Sequence, residues 1–298
     1  MIVSAMNDVN KTMETEVTFS AADGFELAGT LLLPDQPQAA VLISSATGFP
    51  RDFYLPFARY GAARGTACFL YDYRGVGTSV PKSLKSFKTD FPDWGRLDMA
   101  AALDRLIAAA PGVPVIHIAN SAGGHLVGFM PNHDKITRHV FIGVGFGTWW
   151  THRFPKQQFL DLFFWWIYGP MKLAMKGYIP AGGLWGGSTL PAGTFRTWRR
   201  WSHKGEYFRS ELANRLQPHY FNDIKAPVIS FVFTDDPMTK LKCARQFLEF
   251  MSSAKHEIRL RRPEELGVKT LGHQDLFRRK NEAAWPAIWT FLSTLTCV

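Results

Sequence analysis

Apolar and polar residues alternate along two short runs near the start of the chain, Glu14–Ser20 and Phe25–Pro34, with Asp23-Gly24 between them. Alternation of period two broken by Asp-Gly predicts a β-hairpin. The next apolar runs do not alternate. Ala39–Ser44, Thr66–Tyr71, Val113–Asn120, Arg138–Ile142, Ala226–Phe233 and His256–Arg261 are short, and most are rich in β-branched or aromatic residues. Such runs suit strands covered on both faces. Between them the apolar spacing lengthens to that of a helix. Phe53–Gly65, Trp94–Gly112, Ser121–Met130, Thr239–Met251 and Ala283–Leu295 read as helices, with Gly65 as a stop. Strands alternating with helices predict a mostly parallel sheet with helices on both faces. Ligands of such sheets sit beyond the carboxyl ends of the strands.

The rhythm lapses after Gly147 and resumes near residue 221. Seven of the ten tryptophans fall in the gap: Trp149, Trp150, Trp165, Trp166, Trp185, Trp198 and Trp201. Residues 148–220 are therefore expected to form a separate lid over a core made of 1–147 and 221–298. Trp149, Trp150, Trp165 and Trp166 are its candidate pocket residues, for an acyl chain or an aromatic acid. Ordinary packing accounts for aromatic residues equally well.

Composition narrows the class. The 298 residues are 46% hydrophobic and 20% charged, enough for a large core. The net charge of +9 is scattered, and no nucleic-acid motif accompanies it, so no nucleic-acid partner is expected. Three distant cysteines, Cys68, Cys243 and Cys297, form no framework and fit a reducing compartment. The N-terminal stretch lacks a signal-peptide pattern. The aromatic run Phe159–Tyr168 is shorter than the roughly 20 residues of a membrane span. A cytoplasmic protein without membrane contact is the expectation.

Candidate chemistry stands at the strand ends. Ser121 follows Val113–Asn120, with Ala119 two residues before it and Gly123 two after. A serine on a tight strand-to-helix turn needs small residues at both places. A plain helix N-cap would look the same. Ala46, with Thr47 in reserve, follows the strand Ala39–Ser44 and is the candidate for one oxyanion N–H donor; Ala122 would supply the other. Asp236, with Asp235 in reserve, ends the strand Ala226–Phe233, although an Asp-Asp-Pro turn is a sufficient reason for both. His273 lies in the loop after the last strand, where a general base could reach the site. No one of these signals decides. Together they place serine, acid and histidine in chain order, each just beyond a strand.

The stretches Asp72–Ser79 (DYRGVGTS), Asn120–Gly124 (NSAGG), Pro227–Pro237 (PVISFVFTDDP) and Gly272–Phe277 (GHQDLF) resemble the α/β-hydrolase superfamily. The resemblance covers nearly the whole chain except the aromatic segment. It implies an eight-stranded sheet with strand two antiparallel and a lid after strand six. It also implies a serine hydrolase acting on an ester or lactone through an acyl-enzyme, with Ser121, Asp236 and His273 as the triad. Acyl-homoserine lactones are one substrate class it suggests, and quorum quenching the role that would follow. An acyltransferase, a C–C hydrolase or a small-molecule-binding module on the same fold are the alternatives. No cofactor or metal is expected, since the metal-lactonase cluster H-x-H-x-D-H is absent from the sequence. Three positions depart from the common pattern: Ala119 for the first elbow glycine, Ser44–Gly48 (SSATG) for a His-Gly pair, and Phe233 for a glycine before the acid.

Overall fold

A computed structural model describes residues 11–153 and 155–293. The predicted hairpin is β1 (Thr12–Ser20) and β2 (Glu26–Pro34), paired antiparallel from Thr12 opposite Pro34 to Ser20 opposite Glu26. Gly24 turns the chain at φ +81°, a conformation glycine adopts without strain. The continuous apolar runs form β3 (Ala39–Ser44), β4 (Thr66–Tyr71), β5 (Val115–Asn120) and β6 (Arg138–Ile142). Later come β9 (Val228–Phe233) and β10 (His256–Arg261), after two short strands described below. The eight-stranded sheet runs β1-β2-β4-β3-β5-β6-β9-β10. Only β2 runs opposite to the other strands of this sheet, so β3, β5, β6 and β9 all end at one edge.

Period-two geometry divides each buried strand between two apolar layers. Leu42, Phe69, Ala119 and Phe141 face α2 (Ala100–Ala109) and α8 (Leu241–Leu248). Val41, Leu70, Ile118 and Ile142 face α1 (Leu55–Ala62) and α9 (Trp285–Ser293). The second layer is tight: a methyl group on Gly61 of α1 would lie 2.1 Å from the Trp289 ring. That contact needs glycine for its close approach.

The helix expected over Ser121–Met130 is cut short. It consists of α3 (Ala122–His125) and a single 3-10 turn, Val127–Phe129. Gly123, Gly124 and Gly128 disfavour a longer helix, and Met130 is held extended before Pro131. The glycines serve contact instead. Side chains there would strike the Ser44 carbonyl, Val144 and Phe221 respectively.

The segment between β6 and β9 is more regular than its sequence suggests. It contains α4 (Pro155–Phe163), a π-type turn at Phe164–Tyr168, α5 (Gly169–Lys176), the ribbon β7 (Tyr178–Ile179) and β8 (Leu190–Pro191), α6 (Ala192–Ser202) and α7 (Arg209–Leu212). Its second half is built into the core. Trp201, Tyr207 and Phe208 are fully buried with Phe129, Phe221 and Phe247. Among the described residues no helix is long and apolar enough to cross a membrane.

Candidate active site

β5 delivers Ser121 at the carboxyl edge in a sharply turned backbone, φ 49° and ψ −112°. Only one other described non-glycine residue, Tyr207, has positive φ. Such a conformation costs on the order of 1–3 kcal/mol and is held by its surroundings. Those surroundings are close. Ser121 N–H donates to the Ile142 carbonyl at 3.1 Å. A methyl group on Gly123 would lie 2.5 Å from the Ser44 carbonyl oxygen. Ala119 has no exposed surface, so its one methyl is already accommodated in the core.

His273 reaches Ser121 from the loop after β10. Its Nε2 is 2.9 Å from Ser121 Oγ, and its Nδ1 is 2.8 Å from Asp236 Oδ2 and 3.1 Å from Oδ1. A carboxylate only accepts, so Nδ1–H donates to Asp236 and Nε2 is left to accept the serine proton. Asp236 is 1% exposed and His273 7%. Asp236 Oδ1 also accepts the N–H groups of Met238 at 2.7 Å and Thr239 at 2.9 Å, which fixes the carboxylate plane. Gly143, at φ +61° just past β6, lets the pair come together. A methyl there would lie 3.2 Å from both Asp236 Oδ2 and His273 Nδ1.

Asp235, the reserve acid, does not meet the imidazole. Its Oδ2 accepts the N–H groups of Leu271 at 2.8 Å and Gly272 at 3.0 Å. It anchors the loop that carries His273, a role the sequence did not reveal.

The preferred oxyanion donor needs correcting. Ala46 N–H already donates to the buried Tyr54 hydroxyl at 2.9 Å, which in turn donates to Asn120 Oδ1 at 2.9 Å. Thr47 and Ala122 N–H have no acceptor among the described residues, and both Thr47 and Ser121 line the same cavity. The reserve, Thr47, therefore replaces Ala46 as the free donor. Asn120 was also missed. Its Nδ2 donates to the Ile142 carbonyl at 2.9 Å and to the His273 carbonyl at 3.3 Å, tying the serine turn to the histidine loop.

Beneath the site lies a buried polar chain. Tyr71 OH, Ser44 Oγ and His117 Nε2 are linked at 2.8 Å each, and His117 Nδ1 is 3.1 Å from His139 Nδ1. Burial pushes His117 down to about 3 and His139 well below the usual imidazole range. His125, on α3, is pushed down to about 4 by burial, and its Nε2–H donates to the Gly145 carbonyl at 2.7 Å.

Ser121 and His273 open onto a cavity of about 530 Å³. Trp165, Trp185, Trp198, Phe146, Phe163 and Phe164 form much of its wall. The rings lock together: Trp165 and Trp198 meet edge-on at 4.6 Å, and Phe164 stacks on Trp185 at 5.1 Å. Of the four expected pocket tryptophans only Trp165 lines this cavity. Neighbours on a helix diverge by about 100°, so Trp166 turns away and is 57% exposed, under the Arg199 guanidinium. Trp149 and Trp150 pack edge-on against each other at 5.6 Å, outside the cavity lining. Trp198 could have been found on α6, three residues from both Phe195 and Trp201.

The profile of the alpha/beta hydrolase family matches residues 40–279, most of the chain. The chain belongs to the alpha/beta hydrolase family. Among solved structures, this family member is similar to the Pyrococcus furiosus esterase Pf2001, at 13% identity and a TM-score of 0.60, covering 99% of this chain and 96% of that one. It is similar to DcsB, solved in complex with a substrate analogue, at 15% identity and a TM-score of 0.58, covering 96% and 100%. At these identities the likeness is one of fold. A polyketide transferase, grgF, from a Penicillium species is 36% identical over 66 residues, which is 22% of either chain.

Proposed function

We propose that the protein is a serine hydrolase that cleaves a carboxylic ester or lactone with an apolar acyl moiety. The unbroken Ser121–His273–Asp236 chain, opening onto an aromatic cavity, carries this reading. Ser121 Oγ attacks the carbonyl carbon while His273 Nε2 takes the hydroxyl proton. Asp236 holds the imidazole tautomer and stabilises the imidazolium. The N–H groups of Thr47 and Ala122 receive the developing oxyanion. His273 then returns its proton to the leaving alcohol, whose bond to the acyl carbon breaks. Water, deprotonated by the same imidazole, releases the acid and restores Ser121.

The triad supplies the nucleophile and the base, and the Thr47 and Ala122 N–H groups supply the oxyanion donors, so chelators are expected to leave turnover unchanged. The test is a graded series of p-nitrophenyl esters, with acyl-homoserine lactones alongside, on the wild type and Ser121→Ala. Loss of at least about 1,000-fold in kcat is expected for Ser121→Ala. Equal turnover by the two proteins would remove Ser121 from the mechanism.

The polyketide transferase match favours a second reading, in which the acyl-enzyme is captured by an alcohol or amine instead of water. Product analysis in the presence of added alcohols separates the two. Ester formation exceeding hydrolysis at low alcohol concentration would select the transferase.

A further inference from the structure

The cavity wall carries a second histidine–carboxylate pair. His152 and Asp161 both line it, and His152 Nδ1–H donates to Asp161 Oδ2 at 2.6 Å. Gln157 Nε2, one turn earlier on α4, donates to Asp161 Oδ1 at 3.0 Å. Gln158 Nε2 donates to the His152 carbonyl at 2.9 Å. Ring and carboxylate are thus held from both sides. With the proton on Nδ1, a neutral imidazole offers Nε2 as a hydrogen-bond acceptor.

His152 is 4% exposed, and its Nε2 has no partner among the described residues. Ser202, at the end of α6, also lines the cavity, is 1% exposed, and has an unpartnered Oγ. Among the described residues these are the only two cavity-lining side chains with such an atom. They belong to neighbouring segments: Thr148 Oγ1 donates to the Lys204 carbonyl at 2.8 Å, and the Trp149 and His203 rings are 6.3 Å apart. Buried polar atoms in folded proteins almost always have partners, so an orphaned pair in a cavity wall points to a ligand group. The triad is complete without either residue.

We propose that His152 and Ser202 form a polar subsite that receives a hydroxyl on the acyl moiety of the substrate. The hydroxyl donates to His152 Nε2 and accepts from the Ser202 hydroxyl. A carbonyl at that place would leave Nε2 unpaired. An ammonium would carry a charge into a wall of tryptophan and phenylalanine, at far greater desolvation cost than a hydroxyl. Substrates are therefore hydroxylated acyl esters in preference to plain alkanoyl ones. The inference rests on the serine-hydrolase reading, and its test separates the two.

The probes are p-nitrophenyl octanoate, the same ester with a hydroxyl walked along the chain, and an amino-substituted counterpart. For one hydroxyl position, wild-type kcat/KM is expected to exceed that of octanoate at least about tenfold, a difference of about 1.4 kcal/mol. The ratio should fall to about one in His152→Phe and drop in Ser202→Ala. His152→Gln, which keeps an acceptor, should restore part of it and covers the case in which the phenylalanine variant misfolds. A flat ratio at every position in the wild type, a ratio that survives in His152→Phe, or a gain confined to the amino ester overturns the subsite. Fluorophosphonate labelling of Ser121 reports on the hydrolase reading alone. If Ser121 neither labels nor turns over esters, binding of hydroxyoctanoates and octanoate is compared by quenching of the tryptophan fluorescence. Equal affinities then overturn the subsite as well.

Discussion

Ala119 lies opposite Ser44 of β3 and Phe141 of β6, two residues before Ser121 and with no exposed surface. Two further methyl groups have no room there. Ala119→Val is expected to destabilise the fold by about 1–3 kcal/mol through overpacking. It should also slow fluorophosphonate labelling of Ser121 at least about tenfold, because the turn itself must shift. Unchanged labelling in a folded variant would show that the serine turn is not size-limited at this position. Tyr54 is the second sensitive residue. Tyr54→Phe leaves Ala46 N–H and Asn120 Oδ1 unpaired in a buried place, at about 1–3 kcal/mol for each group. Denaturant titration checks this, and a midpoint equal to the wild type would refute the account.

The loop from β9 divides its labour between two adjacent carboxylates. Asp236 touches the imidazole, whereas Asp235 holds the backbone two residues before it. Asp236→Ala is expected to lower kcat by about 10,000-fold. Asp235→Ala, which only loosens the aim of His273, should cost about 10–100-fold. Measured in parallel, an Asp235 loss equal to that of Asp236 would overturn this division. The acid beside His273 was legible because a strand end and chain order both mark it. The anchoring role of Asp235 was not, since it depends on where the 271–272 backbone comes to rest. Likewise Ala46 failed as oxyanion donor because Tyr54, eight residues on, folds back onto its N–H. Buried strands are readable because both faces demand apolar residues. The helices after β6 hid because a π-type turn and aromatic contacts on several sides blur the 3.6-residue period.

Across the molecule, three buried histidines make the fold sensitive to acid. His117, His125 and His139 are buried neutral, with depressed imidazole affinities for protons. Below an unfolded value near 6.5 the unfolded chain takes up protons that the folded chain refuses, so stability falls with pH. Asp98, pushed up to about 7 by burial against the pull of Arg74, works in the opposite direction and offsets about one of the three. The net slope between about pH 6 and 5 is therefore about 2–3 kcal/mol per pH unit. Urea midpoints at pH 7.5, 6 and 5 test it; a flat profile would mean these histidines are protonated in the fold. The backbone at Ser121 sets a different opposition. Its left-handed turn suits glycine far better than any residue with a Cβ, so Ser121→Gly should be more stable than Ser121→Ala by about 1 kcal/mol. A population of variants screened for heat resistance alone would thus drift toward glycine at the one position where the proposed chemistry requires an oxygen. On the proposed mechanism, selection for turnover opposes that drift, which makes residue 121 a record of whether a descendant of this chain keeps that chemistry.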